Sequence, residues 1–582
     1  VNRLVLVLGV LAGCVAADPS GAKKPPADLI VYHAKIITVD VRNTIAEAIA
    51  IQDGRIVELG GDEEVLERVG PKTRTIDADG HAVLPGLYDS HVHLVGSSTS
   101  ELGSPLPEFR SLADVFEFVK AKVAATPEGR WIVIPYAFPT RLKEARFPTR
   151  AELDAIAPRH PVFYHAGPSG LVNTKGLQTA GITRETPNPP YGIVVKDPST
   201  GEPTGMLRGS SATALLKIPD VDEGSGGAAA RREAVRKLLA LYSAEGITSV
   251  ADRNATREDL DLFLDLEKAG ELPCRINVAR SFNPNGPLDE VLKRLEGLPG
   301  PDRRGGPTGV GDDWVRIGPI KLFMDGGMLN GSAYMREAWP KGETYQIVEE
   351  DYHGLLFVEP KRLEKVLEEG AKRGWQMTAH TAGEGAMDAL LDAYEAVASK
   401  VPIRELRFCI THANFPSQRN LERCRKLGVV ADVQPAWLFK DGTALRKVLG
   451  DDRMRWFQPY KTWMKYTTIG GGSDHMIRTD SLRATNPWNP WLGIWCTLTR
   501  RTEGGDVLRP DEALTREQAI RLYTINNAYL CHEEDQKGSL EVGKLGDLIV
   551  LDRDPLTCPV NDLLDLTVLH TVVAGKVVHS AP

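Results

Sequence analysis

Eight short apolar segments separated by amphipathic helical stretches predict an α/β chain organised as a TIM-like (β/α)8 barrel. Two further patterns predict a small composite β-sandwich domain from both chain ends and an insertion after the first barrel strand. The barrel segments read, in order, "AVLPGLYDSHVHL", "ITSVADRN", "RINVARSF", "VRIGPIKLFMDGG", "WQMTAHTAGEG", "LRFCITHAN", "VVADVQPAW" and "YTTIGGGSDH". Strands separated by helices imply parallel pairing, and eight is the number that closes such a sheet on itself.

The sandwich is read from period-two alternation around Asp-Gly turns in "LIVYHAKIITVD", "EAIAIQDGRIVELG" and "TRTIDADGHAVLP", which predicts a small antiparallel sheet. The same style returns in "GKLGDLIVLDRDP" and "HTVVAGKVVHS". Two strands alone are marginal in water, so these are expected to pair with the N-terminal ones. The resulting division is residues 27–82 with 537–582 for the sandwich and 83–536 for the barrel. Residues 95–240 are too long for one connection and carry strand-like runs of their own, "GRWIVIPYA" and "HPVFYHAGPSGLVN", which makes them the insertion.

The chain has 582 residues, 42% hydrophobic and 25% charged, and a formal net charge of -8. That is a globular composition without the basic footprint that nucleic acid requires. Residues 1–26, "VNRLVLVLGVLAGCVAADPSGAKKPP", pass from Arg3 through an apolar run to small residues, the pattern of an export leader. Within it "LAGC" resembles a bacterial lipoprotein box, with Cys14 as the lipid-anchored residue and the following Pro, Gly and Lys as a tether. The other reading is a Sec signal cleaved near "VAA". Either places the chain outside the cytoplasm, periplasmic or anchored to a bacterial membrane. The remaining cysteines, at 274, 409, 424, 496, 531 and 558, form no close pair, which argues against a zinc ribbon and for mostly free thiols.

Polar residues recur where the barrel strands end: His91 and His93 at the first, Lys321 in the fourth, His380 at the fifth, His412 at the sixth and Asp474 after the eighth. The C-terminal rim of such a barrel is where side chains from different strands converge. A single His-X-His is a weak signal. Two more histidines, a carboxylate and a lysine at equivalent places form a ligand set suited to zinc and its divalent neighbours. Gln434, Trp437 and His475 stand next to these positions and are candidates for substrate contact. Their structural alternatives are a strand end stopped by Pro435 and a cap on the rim. Asp325, in "MDGG", is read first as part of a turn.

These residues resemble the amidohydrolase superfamily of metal-dependent hydrolases, in the family 3 branch that includes N-substituted formamide deformylases. The likeness rests on "PGLYDSHVHL", "GLVNTKGLQTAGI" with "GEPTGMLRG", "IKLFMDGGM", "AHTAGEGAMDALLDAYE", "THAN", "QPAW", "GSDHM" and the closing "LTREQAIRLYTINNAYL" with "GSLEVGKLGDLIVLD". The resemblance implies that His91, His93 and Asp474 bind one metal. It also implies either a carbamylated Lys321 bridging to a second ion at His380 and His412, or an ion-paired Lys321 beneath a one-metal site. The implied activity is hydrolysis of a non-peptide C–N bond in an amide, formamide or cyclic amide, with hydroxide generated at the metal and Asp474 as general base and acid. The alternatives are an ester or phosphoester hydrolase on the same barrel, and a catalytically silent periplasmic binding protein. One departure stands out: near His165 the chain has Gly167-Pro168 where relatives tend to show Gly-His.

Overall fold

The computed structural model describes residues 24–103, 105–219, 227–298 and 307–582. Of the leader expected over residues 1–26, residues 1–23, including Cys14, lie outside the described residues. The other six cysteines are free, five of them buried.

Eight strands form the barrel: β1 (Leu87–Val92), β2 (Ile247–Ala255), β3 (Arg275–Ser281), β4 (Val315–Phe323), β5 (Met377–Thr381), β6 (Cys409–His412), β7 (Val430–Val433) and β8 (Ile469–Gly471). They follow one another in chain order, each parallel to the next. Strands of such a barrel are covered on both faces, by helices outside and by one another's side chains inside, and β1 is buried at all six positions, its polar Asp89, Ser90 and His91 included. The ring closes past the end of β8. Asp474 N donates to His91 O at 2.8 Å, and His93 N donates to His475 O at 2.9 Å.

The helices between strands carry their own start and stop signals. The helix Gln418–Leu427 opens with a capping box of Ser417 and Asn420 and stops at Gly428, whose φ of 73° ends it in the left-handed region.

The run "AVLPGLYDSHVHL", read as one strand, is two. Ala82–Pro85 belongs to the sandwich and Leu87–Val92 to the barrel. The break falls at Gly86, where a Cβ would lie 2.2 Å from Thr248 Oγ1 on the neighbouring strand β2. Only a residue without a side chain lets the chain pass from one sheet to the other there.

The sandwich has a four-stranded sheet ordered Arg55–Gly60, Ala48–Gln52, Leu29–Tyr32, Arg74–Asp77. Its six-stranded partner is ordered Lys576–Ser580, Val568–Val573, Leu548–Leu551, Ala82–Pro85, Lys35–Ile37, Ile45–Ala46. The chain ends meet where Ala82–Pro85 runs antiparallel to Leu548–Leu551. The expected antiparallel pairing holds for most neighbours, with two exceptions: Leu29–Tyr32 is parallel to Arg74–Asp77, and Lys35–Ile37 to Ala82–Pro85. Leu29, Val31, Ile49, Ile51, Val83, Leu548 and Val550 fill the space between the sheets. A buried pair fastens this layer to the barrel, with Arg275 of β3 meeting Asp547 at 2.6 and 2.8 Å.

The insertion builds its own five-stranded sheet, ordered Ile193–Lys196, Pro203–Arg208, Ser169–Val172, Val162–Ala166, Ile132–Ile134.

Candidate metal centre

The closing register of the barrel builds the centre. Because Asp474 N is bonded to His91 O, the Asp474 side chain is delivered against the two histidines of β1. Its Oδ1 lies 3.2 Å from His91 Nε2 and 3.2 Å from His93 Nε2. One ligand atom from each of the three residues falls within 4.8 Å of the others. Asp474 holds a left-handed φ of 55° and His412 one of 77°. Non-glycine residues keep such conformations only where the surroundings fix them, and such places cluster at functional sites.

The protonation pattern suits a cation. Burial, reinforced by the Lys321 charge, keeps the His91 imidazole well below its ordinary range, and the same two causes bring His380 down to about 3. Burial also keeps His412 well below its ordinary range, so all three rings are neutral at physiological pH.

A second layer decides which nitrogen each ring offers. Asp432 of β7 has Oδ2 2.8 Å from His91 Nδ1, while its Oδ1 accepts from Ser90 Oγ at 2.6 Å and from Gln434 Nε2 at 3.1 Å. Gln434 Oε1 is 2.7 Å from His412 Nδ1. With Nδ1–H engaged in each ring, Nε2 keeps its lone pair for a metal. The expectation that Gln434 touches substrate is therefore corrected: it is fully buried and spent on His412 and Asp432. His475 is corrected likewise, because Tyr242 Oη holds its Nδ1 at 2.6 Å and Arg478 O takes its Nε2. Asp432 was missed by sequence reasoning. The signal was an aspartate inside a strand of otherwise apolar residues, "VADV".

Lys321, His380 and His412 line the same cavity, and the two histidines do not join the tight triad. The His380 and His412 rings meet edge-on at 4.4 Å, and His412 stacks on His91 at 5.1 Å. His380 Nε2 contacts Gly326 O at 3.2 Å. Burial lowers the Lys321 ammonium to about 7. Its Nζ lies 5.5 Å from the centre of the Phe323 ring, and the carboxylates closest in charge, Asp432 and Asp474, are paired with histidines and Arg253 instead. Asp325 does organise backbone, accepting from the N–H groups of Tyr334, Ala382 and Gly383.

Above the centre is a cavity of about 600 Å³. The insertion supplies one wall through Tyr136, Phe138, His165 and Tyr191, and the barrel loops supply Phe282, Phe323, Met328, Phe357 and Trp437. Trp437, expected as a pocket wall, stacks on His412 at 4.5 Å. His165 meets Tyr136 edge-on at 4.3 Å, and burial lowers its imidazole to about 4, so this wall is neutral. Among the described lining residues, the formal charges belong to Lys321, Asp325 and Asp474, all buried.

A closed parallel barrel whose rim gathers neutral imidazoles and a carboxylate under a cavity defines a metal-dependent hydrolase. The chain belongs to the amidohydrolase family, whose sequence profile matches residues 74–579, and it is a hydrolase of C–N bonds. It is 28% identical over 565 residues to the N-substituted formamide deformylase of Arthrobacter pascens, covering 94% of this chain and 97% of that protein. It is 28% identical over 581 residues to Protein LONG AFTER FAR-RED 3 of Arabidopsis thaliana, covering 94% and 91%. Among solved structures, an uncharacterized metal-dependent hydrolase from Pyrococcus horikoshii shares the fold, with a TM-score of 0.65 at 23% identity over 92% of this chain and 99% of that one.

Proposed function

We propose that this chain hydrolyses an uncharged, non-peptide amide, formamide or cyclic amide, with zinc held by His91, His93 and Asp474. A second zinc is assigned to Lys321, His380 and His412, with Lys321 carbamylated so that it offers oxygens in place of a repelling ammonium. The observation that carries this reading is one Asp474 oxygen placed 3.2 Å from both His91 Nε2 and His93 Nε2 at the base of the cavity. A divalent cation bound there acidifies water and polarises a carbonyl.

The chain's own residues supply the rest. Asp474 takes the proton of the attacking water and returns it to the leaving nitrogen, which departs poorly unless protonated. Asp432 and Gln434 hold two rings in the ligating tautomer. The aromatic walls exclude water and receive the substituent on the amide. A substrate carboxylate or ammonium finds no counter-charge on those walls, so desolvating it is uncompensated. The likeness to a protein named N-substituted formamide deformylase supports the formamide end of the substrate range.

The test is a matched panel: formamides and acetamides with benzyl or branched alkyl N-substituents, N-acyl amino acids carrying a free carboxylate, and the corresponding esters and phosphoesters. The reading requires kcat/KM for the neutral amides to exceed that for the carboxylate-bearing ones by at least about tenfold. Turnover confined to esters or phosphoesters overturns it.

A further inference from the structure

Asp441 is a carboxylate with no solvent exposure, set inside the helix Pro435–Met454. An ionised group buried there needs a partner. The insertion provides it. Arg141, at the end of the short turn Pro139–Arg141, reaches Asp441 Oδ1 with Nε at 2.9 Å and Oδ2 with Nη2 at 2.8 Å, and Thr140 Oγ1 donates to Oδ1 at 3.0 Å. This two-pronged pairing fixes the plane of the guanidinium.

The same guanidinium continues past Asp441. Its Nη1 donates to Thr485 O, and its Nη2 to Asn486 Oδ1 at 3.0 Å. A guanidinium can only donate, so the Asn486 amide has its oxygen toward Arg141 and its nitrogen on the opposite side. There Nδ2 donates to Asp474 O at 2.6 Å and lies 3.3 Å from Asp474 Oδ2. Asn486, like Asp441, has no solvent exposure. Asp474 Oδ2 thus faces Asn486, while Oδ1 faces His91 and His93.

We propose that Arg141 and Asn486 are positioning residues for the Asp474 carboxylate, so that the insertion holds the reacting group as well as walling the cavity. The inference rests on the reading of Asp474 as proton carrier. Arg141 orients the Asn486 amide, and the amide sets both the backbone and the plane of Asp474. Without it Oδ2 loses the partner that aligns it for proton transfer, while Oδ1 keeps its place against His91 and His93.

The experiment is a double-mutant cycle on the full chain: Asn486→Ala, Arg141→Met and the two combined, each read as kcat, KM and zinc per chain on the best amide of the panel. Arg141→Lys and the paired Arg141→Met/Asp441→Leu are made alongside, because Arg141→Met alone leaves Asp441 buried without a partner and can fail to fold. The expected result is a kcat lower by roughly 10- to 100-fold in Asn486→Ala, with KM and zinc content unchanged. Losing Arg141 lowers kcat in the same direction but adds little once Asn486 is gone, because its path to the Asp474 carboxylate runs through the Asn486 amide. Full kcat in Asn486→Ala, or losses that multiply in the combined variant, overturns the proposal. Asp474→Asn is measured in parallel. If it retains turnover, the proton-carrier reading falls and this inference with it; if it is inactive while Asn486→Ala is fully active, the inference alone falls.

Discussion

His91 Nδ1 and Asp432 Oδ2 lie 2.8 Å apart, both fully buried, although 341 positions separate them in the chain. This contact lets a β7 carboxylate set the tautomer of a β1 histidine. Asp432→Ala is expected to weaken zinc binding about 10- to 100-fold, the usual cost of losing a partner behind a ligating histidine. Chelator competition measures it, and an unchanged dissociation constant would remove Asp432 from this role. The melting temperature should fall as well, because Arg253 loses the carboxylate 3.8 Å from its Nε.

Gln434 does for His412 what Asp432 does for His91. Gln434→Leu should lower the ratio of zinc to chain by emptying the position assigned to Lys321, His380 and His412, while the ion at His91, His93 and Asp474 stays. Elemental analysis of the variant beside the parent checks this. An equal ratio in both proteins means that Gln434 does not support a second ion.

Gly86 is where the chain leaves the sandwich for the barrel. In Gly86→Ala the new Cβ would lie 2.2 Å from Thr248 Oγ1 and 2.3 Å from its Cγ2. Overpacking of this kind costs about 1–3 kcal/mol, to be read by denaturant unfolding. Adding Thr248→Ala removes those two collisions and leaves the one at 2.7 Å to Cβ, so part of the loss should return.

The buried pair of Arg275 and Asp547 ties β3 to the C-terminal sheet. Arg275→Met strands Asp547 and should cost about 3–5 kcal/mol, whereas Arg275→Met with Asp547→Leu recovers most of it. Burial pushes the Asp547 carboxyl up, but Arg275 prevails and holds it below the ordinary range. A lowered folded-state value means that the contribution is complete at neutral pH and is lost as pH falls below the unfolded value of about 3.9. Melting curves from pH 7 downward should therefore show the parent losing stability relative to the double variant only in acid.

The barrel was legible because its strands read as apolar runs separated by helices, and the first, fourth, fifth, sixth and eighth carry a chemically distinct residue toward the same end. His91, His380, His412 and Asp474 advertise a shared rim even without knowledge of strand order. What stayed hidden depends on pairing. Alternation marks Leu29–Tyr32 as a strand but does not say that its neighbour Arg74–Asp77 runs parallel. The break at Gly86 was invisible because apolar residues flank it on both sides and the obstacle, Thr248, sits on another strand. Gln434 and His475 looked like pocket residues because their neighbours are; only the closed barrel shows their polar atoms already committed inward. Arg141 and Asn486 gave no signal, since a turn arginine and an asparagine before proline are ordinary loop residues until the insertion is folded over the rim.

The central claim is that His91, His93 and Asp474 gather around a cation. Elemental analysis of the purified full chain, beside the variant His91→Ala/His93→Ala, tests it most directly. The account requires one or two equivalents of zinc per chain in the parent and loss of the ion held by the triad in the variant, with hydrolysis lost as well. A parent that binds no divalent metal, or a variant that keeps the full complement, would contradict it.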